Sequence, residues 1–271
     1  MNIFNRSDLK TKNGLPCIEI PEMAHIEWIQ HGFLTRRGGI SLPPFDSLNF
    51  SKNTGDLEDH VSKNKNLIGA SFGFDSNRLI LLHQMHQDGI LVIREPDDSL
   101  PCNLEYDAMI THSENRFLGI KTADCLPIFV IDKVKKVIAA IHAGRQGTAR
   151  RIVRKALKRM KAEWGCLPKD LLIALGPSIG PCCYEIDEKV FHAEWEPYSM
   201  PKGHGKWRVD LPRINMEHMK NEGIKENQIF WIDLCTRCHS DLFFSYRGEG
   251  QTGRQLSFIG ITKVNVECRW G

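Results

Sequence analysis

The sequence lacks the features of several protein classes. No apolar run approaches the roughly 18 residues of a membrane-spanning helix, and residues 1–14 lack the apolar core of a secretion signal. A net charge of +3 is too small to indicate binding to nucleic acid. No internal repeat, low-complexity segment or shift in composition marks a linker. These absences predict a cytoplasmic protein without nucleic-acid or membrane partners, folded as a single domain over residues 1–271.

The cysteines lack the even number and regular spacing of a disulfide framework. The chain has nine, and without an export signal we expect them to be reduced or bound to metal. Cys235 and Cys238 form a C-x-x-C pair, which is typical of redox sites and of half a structural zinc site, and Cys182 and Cys183 are adjacent. Because no second C-x-x-C pair completes a zinc set, we favour packing roles for all four.

Two strongly apolar runs are present in the segment from Thr122 to Thr148. Residues 126–131 and 137–141 flank a short charged turn, which predicts two buried strands joined as a hairpin. Cys125 stands at the start of the first strand and His142 at the end of the second. Since those two ends lie together in an antiparallel pair, we expect a thiol and an imidazole at one edge of a sheet.

The remaining patterns predict a mixed fold. Short apolar segments predict further strands at residues 16–20, 78–82, 90–93, 108–111, 117–121, 170–175, 230–233 and 255–261. Helical periodicity predicts helices at residues 56–72, 149–164, 187–195 and 211–222. Residues 95–105 and 196–206 are predicted connections. The basic face of the helix at 149–164 is interpreted as a solvated surface.

A metal site is one interpretation of the thiol and imidazole pair. His83 or His86, both just past a short strand, would supply a third ligand. Cysteine with two histidines is a zinc set that leaves the fourth tetrahedral position open, and water bound there has a pKa of about 7. The same set also suits copper, for which Met85 or Met109 is the available axial ligand.

Two interpretations need no metal. Cys125 is a thiolate nucleophile in the first, with His142 as its base and Asp124 orienting the imidazole. In the second, Cys125 is a small buried apolar residue and the histidines belong to loops. The spacing of these residues leaves all the interpretations open.

Two glycine-rich segments indicate anion binding. Residues 144–148 lead into the basic helical pattern, with Thr148 as a candidate N-cap, and a helix start favours anions such as phosphate. Arg36 and Arg37 stand in a second glycine-rich turn, and arginine pairs with phosphate through two parallel hydrogen bonds. Together the two segments indicate phosphate.

Several longer motifs carry a resemblance to a known family. They read HGFLTRRGGIS, DSLNF, QMH, TADCLP, HAG, GPSIGPCCYEI and CTRCHSDLFFSYRGEGQTGR. Over His31 to Ile261 the chain resembles the YfiH-like family, formerly described as laccase-domain or polyphenol oxidase proteins and now regarded as purine nucleoside phosphorylases. The resemblance implies a single-domain α+β (mixed α/β) fold, an α/β/β/α layered sandwich with mixed sheets.

The resemblance also implies a site and an activity. The family's metal ligands correspond to His86, Cys125 and His142, and the implied cofactor is Zn²⁺. The implied reaction joins phosphate to adenosine, inosine or S-methyl-5'-thioadenosine to give a purine base and ribose 1-phosphate, with some deamination of adenosine. The three ligands and Asp124 are then the candidate catalytic residues.

The alternatives are a copper-dependent, laccase-like polyphenol oxidase and a non-enzymatic zinc-binding protein. For phosphate, the candidate ligands are Arg36, Arg145 and Arg247. The sequence does not indicate protein partners.

The chain departs from the family pattern at three positions. Gln87 replaces a glycine after the first histidine, and HAGRQG replaces HAGWRG, so that Arg145 stands in place of an aromatic residue and Gln146 in place of a basic one. The metal ligands are retained. Near His142 we therefore expect that Arg145 binds an anion and that base stacking is lost.

Overall fold

A computed structural model describes residues 1–94, Leu100 and 104–263. The described residues form sixteen strands, which we label in chain order: β1 (Asn2–Phe4), β2 (Lys10–Lys12), β3 (Leu15–Ile18), β4 (Ile29–Leu34), β5 (Leu79–Leu81), β6 (Ile90–Ile93), β7 (Ala108–Thr111), β8 (Arg116–Thr122), β9 (Leu126–Asp132), β10 (Val137–Ala143), β11 (Leu171–Leu175), β12 (Glu185–Asp187), β13 (Ser199–Gly203), β14 (Lys206–Val209), β15 (Ile229–Ile232) and β16 (Gln255–Ile261). The α-helices are α1 (Pro21–Ala24), α2 (Glu58–Phe72), α3 (Arg145–Ala149), α4 (Ile152–Trp164), α5 (Leu211–Lys220) and α6 (Tyr246–Glu249).

The strands form two large sheets and one small sheet. One large sheet has seven strands in the order β1-β15-β11-β9-β10-β7-β6, and the other has six in the order β2-β3-β4-β16-β8-β5. Both are mixed, because β1, β15 and β11 run parallel, as do the pairs β6/β7 and β5/β8, whereas the remaining neighbours are antiparallel. The small antiparallel sheet has the order β12-β14-β13.

The two large sheets pack face to face, and helices cover their outer faces. Alternate residues of a strand point to opposite faces of its sheet. Phe129 and Ile131 of β9 therefore face the six-stranded sheet, and the Phe129 ring stacks on Phe33 of β4 at 4.6 Å. Ile128 and Val130 point the other way, into a cluster with α4 and α5. Helix α2 covers the outer face of the six-stranded sheet, which completes the expected α/β/β/α sandwich.

The predicted hairpin is confirmed. Strands β9 and β10 pair antiparallel from Asp132 with Val137 to Leu126 with Ala143, and every residue of both strands is buried. Burial on both faces explains why these strands read as unbroken apolar runs rather than as alternating patterns. The structure also contains strands close to each of the other predicted strand segments.

The predicted helix at residues 149–164 is interrupted. Arg151 adopts a left-handed conformation, with φ of 59° and ψ of 44°, and separates α3 from α4. Thr148 is not an N-cap: it lies inside α3, where its hydroxyl accepts a hydrogen bond of 2.9 Å from the side chain of Asn215. Periodicity continues across the break because both helices pack on the same sheet, so the sequence pattern did not reveal it.

The predictions for residues 187–206 were wrong. In place of a helix and a loop, short 3-10 turns at Glu188–Val190 and Ala193–Tyr198 connect the strands of the small sheet. Phe191 stacks on Trp207 at 4.1 Å and Trp195 is fully buried, so aromatic packing between distant parts of the chain outweighs local helix propensity here.

Residues 95–99 and 101–103 of the predicted connection at residues 95–105 lie outside the described residues. None of the described helices combines the length and apolar character that crossing a membrane requires.

Candidate active site

Three side chains meet where the β9–β10 hairpin ends. Cys125 immediately precedes β9, His142 lies in β10 opposite Pro127, and His86 follows β5 of the other large sheet. One donor atom from each of the three lies within 4.8 Å of the other two. The sulfur of Cys125 is 3.9 Å from Nδ1 of His86, and the two imidazoles meet edge to face at 4.8 Å. His83 lines the same cavity but is not part of this group.

Asp107, which sequence reasoning missed, organises the group. Its fully buried carboxylate lies 2.8 Å from Nδ1 of His142, which leaves Nε2 of that ring available as a metal ligand. The same carboxylate accepts the backbone N–H groups of Met85, His86 and Gln87 at 3.2, 2.9 and 2.7 Å. A single side chain therefore orients one histidine and fixes the loop that carries the other. Its signal in the sequence was a lone aspartate directly before an apolar strand.

The electrostatics of the group favour a thiolate. Burial raises the pKa of Cys125, but the charge of His142 and hydrogen bonds from His142 and His86 outweigh it, so the pKa falls from 9.0 to about 6. Burial alone raises the pKa of Asp107 as well, yet its hydrogen bonds from His142 and Gln87 hold that pKa below the ordinary value. Cys125 is thus prepared to act as an anionic ligand or nucleophile.

A narrow approach to the thiol explains the glycine of the HAG motif. A Cβ atom on Gly144 would lie 2.9 Å from the sulfur of Cys125 and 3.2 Å from Nδ1 of His86. Both contacts are shorter than ordinary van der Waals distances. A side chain at this position would displace two of the three candidate ligands.

Asp124 does not orient the imidazole. Its backbone is left-handed, with φ of 93°, and its carboxylate accepts 2.7 Å hydrogen bonds from the hydroxyls of Thr236 and Ser245 and from the backbone N–H of Arg247, whereas Nδ1 of His142 is bound to Asp107. Asp107 takes the role that the sequence interpretation gave to Asp124. The observed role of Asp124 is to hold the turn before α6, which carries Arg247.

The three-residue group opens into a cavity of about 460 Å³, the size range of a small-molecule site. Cationic side chains on its wall outnumber the single carboxylate, Asp124. The cations are Lys121, Arg145, Arg247 and Arg254, and two tyrosines, Tyr184 and Tyr246, supply aromatic surface. Gln146 also lines the cavity. The site therefore combines soft metal ligands, positive charge and aromatic rings around one space.

The predicted arginines divide into two groups. Arg145 and Arg247 line the cavity, and the Arg247 guanidinium lies over the ring of Tyr184 at 5.1 Å while donating to the backbone oxygen of Glu185 at 2.7 Å. Arg36 is not brought to the cavity. Its buried guanidinium donates to the backbone of Asp46 and Ser240 and to Glu249, so its hydrogen bonds serve the packing of that turn.

The segment at residues 144–148, where an anion site is predicted, does not lead directly into the long basic helix. Helix α3 has only five residues and no side-chain cap, and the long basic helix α4 begins after Arg151. Several side chains of that basic face form ion pairs, among them Arg154 with Glu222 and Lys155 with Asp88. The positive charge at the site comes from individual side chains of the cavity wall.

The chain is similar in sequence and in fold to several known proteins. The family model for multi-copper polyphenol oxidoreductase laccase matches residues 30–262. Purine nucleoside phosphorylase YlmD of Bacillus subtilis is 32% identical over 247 residues, covering 86% of this chain and 88% of that protein. Purine nucleoside phosphorylase YfiH of Escherichia coli is 32% identical over 233 residues, covering 84% and 91%. The crystal structure of Bacillus licheniformis protein YfiH, at 30% identity, superposes with a TM-score of 0.84 over 94% of this chain and 99% of that one.

Proposed function

Because the chain belongs to the YfiH-like family, that of the multi-copper polyphenol oxidoreductase laccase model, we propose that it is a zinc-dependent purine nucleoside phosphorylase that also deaminates adenosine. Its proposed substrates are phosphate with adenosine, inosine or S-methyl-5'-thioadenosine. The products are the free purine base and the pentose 1-phosphate. The names of the relatives support the reaction class, and the cavity supports the substrate chemistry.

The observation that carries the proposal is the composition of the cavity wall. His86, Cys125 and His142 share one space with cationic side chains and two tyrosine rings. A nucleoside and phosphate need aromatic surface for the base and positive charge for the oxyanion. Both lie on the wall of a cavity whose volume suits a small molecule.

The donor set fits zinc. One thiol and two imidazoles converge, and the hydrogen bond that Asp107 accepts from Nδ1 of His142 fixes the tautomer in which Nε2 of that ring can be a ligand. These three residues would hold a zinc ion, which would supply a Lewis acid beside the cavity. Copper fits less well, because Met109 is buried between the sheets and neither Met85 nor Met109 lines the cavity, so neither is placed as an axial ligand.

In phosphorolysis a phosphate oxygen forms a bond to C1′ of the ribose while the bond from C1′ to the purine nitrogen breaks. The electron pair of that bond leaves with the base, which takes up a proton. Arg145 and Arg247 are our candidates to hold the phosphate, and Tyr184 and Tyr246 to flank the nucleoside. Asp124 positions the backbone of Arg247, because its carboxylate accepts a hydrogen bond from the N–H of that residue.

Deamination belongs to the same proposal. In that reaction water replaces the amino group of adenosine, which leaves as ammonia, and a zinc ion held by His86, Cys125 and His142 would supply the Lewis acid that activates the water. A polyphenol oxidase and a non-enzymatic zinc-binding protein are the alternatives that the assay must separate.

The test is product analysis on the purified protein with its metal content measured in parallel. Adenosine with phosphate should give adenine and ribose 1-phosphate, and adenosine without phosphate should give inosine. Cys125→Ala should lose the metal bound by His86, Cys125 and His142 together with both activities, whereas the control Cys166→Ala, in the core away from the cavity, should retain them. A folded protein whose zinc is lost in Cys125→Ala, and which nevertheless shows no nucleoside turnover, would refute the proposal, and phenol oxidation dependent on copper would favour the oxidase.

The phosphate role of Arg145 has its own test. Arg145→Ala should raise the KM for phosphate about ten- to hundredfold, since a hydrogen bond to a charged group is worth about 1.5–3 kcal/mol. Arg145→Lys should recover part of the loss, because lysine keeps the charge without the planar guanidinium. An unchanged phosphate KM in Arg145→Ala would exclude this residue from phosphate binding.

A further inference from the structure

Four cysteines form a second cluster, separate from the candidate active site. Cys182 and Cys183 follow β11, and Cys235 and Cys238 follow β15, the strand that pairs with β11 in parallel. Their four sulfur atoms all lie within 4.8 Å of one another. The fold therefore brings together four thiols, as a zinc site requires. Cys182 and Cys183 supply the two thiols that would otherwise come from a second C-x-x-C pair.

The spacing of the sulfur atoms matches that of tetrahedral zinc ligands. Zinc binds cysteine sulfur at about 2.3 Å, so two sulfurs of a tetrahedral site lie about 3.8 Å apart. The sulfur of Cys238 is 3.6 Å from that of Cys182 and 3.4 Å from that of Cys183. All four thiols are free rather than joined as disulfides.

The backbone around Cys235 is arranged for a thiolate. The N–H of Gly180 donates to the sulfur of Cys235 at 3.3 Å, across the gap between the two cysteine-bearing loops. Backbone N–H groups that point at sulfur orient a ligating thiolate and stabilise its charge. The same two loops meet in an isolated parallel bridge between Ser178 and Cys235.

The surrounding charge also suits an anionic centre. Four thiolates on one divalent cation leave a net charge of minus two. Cys182 and Cys183 line a cavity of about 550 Å³ whose wall carries more cations than acids. The cations are Arg145, Lys206, Arg208, Arg237 and Arg247, and the acids are Glu185 and Asp187. Electrostatic balance therefore favours the metal-loaded over the empty cluster.

From this geometry we infer a second, structural zinc site formed by Cys182, Cys183, Cys235 and Cys238. All four coordination positions are filled by protein, so this zinc is closed to substrate. The site ties the loop after β11 to the loop after β15.

These two loops support the wall of the active-site cavity. Tyr184, which lines the cavity, directly follows Cys183, and Thr236, which donates to Asp124, directly follows Cys235. The N–H of Ile179 donates to the backbone oxygen of Asp124 at 2.8 Å. A zinc at the four cysteines therefore holds Tyr184 and Asp124 in place without touching substrate.

The test counts zinc ions per chain in the full-length protein purified without added metal. Wild type should carry two, Cys238→Ser should carry one, and Cys125→Ala should carry one, because the two substitutions remove different sites. Cys166→Ala is the matched control and should keep both, since this buried cysteine belongs to neither cluster. If Cys238→Ser fails to fold, Cys238→His should fold and keep two, because histidine preserves a ligand.

Cobalt exchange gives an independent readout. The absorption of tetrahedral cobalt with four thiolates should be present in wild type and in Cys125→Ala and absent from Cys238→Ser. One zinc per chain in wild type, lost in Cys125→Ala and unaffected by Cys238→Ser, would overturn the inference. So would a disulfide between these cysteines in the freshly purified protein. Neither result depends on nucleoside turnover, so this inference and the proposed reaction fail separately.

Discussion

At the scale of single residues, Asp107 decides the geometry of the candidate metal centre. A buried carboxylate without partners costs several kcal/mol, and this one is satisfied by His142 and by the backbone of residues 85–87. Because the same hydrogen bonds orient one ligand and position the loop of another, the cost of burying the charge is offset by preorganisation of the site. Among the described residues, no other contact of the three ligands both orients one ligand and positions the loop of another.

Substitution of Asp107 by Asn should therefore weaken metal binding. The amide retains one acceptor but places an NH₂ group against backbone N–H donors, so both the His142 tautomer and the His86 loop lose support. We expect zinc affinity to fall about 10–100-fold, as for other partners of ligating histidines, measured by competition with a chelator.

Asp132→Asn is the matched control for that substitution. Asp132 is equally buried at the opposite end of the same hairpin, where it accepts the N–H groups of Val134 and Lys135 at 2.8 Å. It should lower stability without changing zinc affinity. Equal zinc affinity in wild type and Asp107→Asn would show that Asp107 does not position the ligands.

His31 is a buried histidine held neutral by the fold. Its Nε2 accepts the N–H of Ile20 at 2.8 Å, and its Nδ1 has no hydrogen-bond partner in the part of the chain that the structure describes. Burial, with a smaller contribution from the charge of Lys12, lowers its pKa from 6.5 to about 3. A proton on His31 therefore destabilises the folded state.

This histidine should make stability depend on pH. Between pH 6.5 and about 3 the unfolded chain binds a proton at His31 and the folded protein does not. The contribution of His31 to the free energy of unfolding is thus complete above pH 6.5. It declines by about 1.4 kcal/mol per pH unit as the pH falls below that value. Denaturant unfolding of wild type and His31→Gln at pH 7.5, 6.5 and 5.5 should show the two free energies converging below about pH 6.5. For the exposed control His25→Gln, the free energy of unfolding should change with pH as it does in wild type. The same pH dependence in His31→Gln as in wild type would contradict the assignment of a lowered pKa to His31.

At the scale of elements, the sequence predicted strands that are buried on both faces. It did not predict contacts that depend on which strands pair with each other. The apolar runs of β9 and β10 predicted the hairpin and hence the meeting of Cys125 with His142. Asp107 was missed because its role depends on β7 pairing with β10, which no local pattern encodes. The four-cysteine cluster was missed for the same reason, since it forms through the pairing of β11 with β15. Choosing His86 over His83 came from family resemblance rather than spacing.

The break between α3 and α4 leads to a prediction about a single backbone position. A left-handed conformation costs a residue with a Cβ about 1–2 kcal/mol, and glycine avoids most of that cost. The ion pair of Arg151 with Glu194 is about half exposed and worth little. Arg151→Gly should therefore raise the free energy of unfolding by about 0.5–1 kcal/mol relative to Arg151→Ala.

Glycine inside α4 should have the opposite effect. Lys158 is a well-exposed position of that helix, and Lys158→Gly should lower the free energy of unfolding by about 1 kcal/mol. Urea unfolding of the three variants measures both effects. A lower free energy of unfolding in Arg151→Gly than in Arg151→Ala would mean that the left-handed conformation at the break is not strained.

At the scale of the whole molecule, the candidate site depends on how the two large sheets pack. His86 follows β5 of the six-stranded sheet, His142 lies in β10 of the seven-stranded sheet, and Cys125 stands on the connection between them. The core between the sheets therefore sets the distance between ligands. Phe33 and Phe129, stacked across that core, form an aromatic contact that joins the two sheets directly.

Removing this contact should destabilise the chain as a single unit. Phe129→Ala should lower the free energy of unfolding by about 3–5 kcal/mol, the usual cost of emptying a large core position, whereas Val134→Ala in the exposed hairpin turn should change it by less than about 0.5 kcal/mol. Because the sheets share one core, circular dichroism and tryptophan fluorescence should report the same transition in denaturant for both variants. Two separated transitions would contradict the single-domain prediction. A loss of stability in Phe129→Ala of about 1 kcal/mol or less would instead show that the sheets repack around the missing ring. If the sheets hold the ligands together, zinc should also leave wild type within that one transition, because the unfolded chain presents no assembled site.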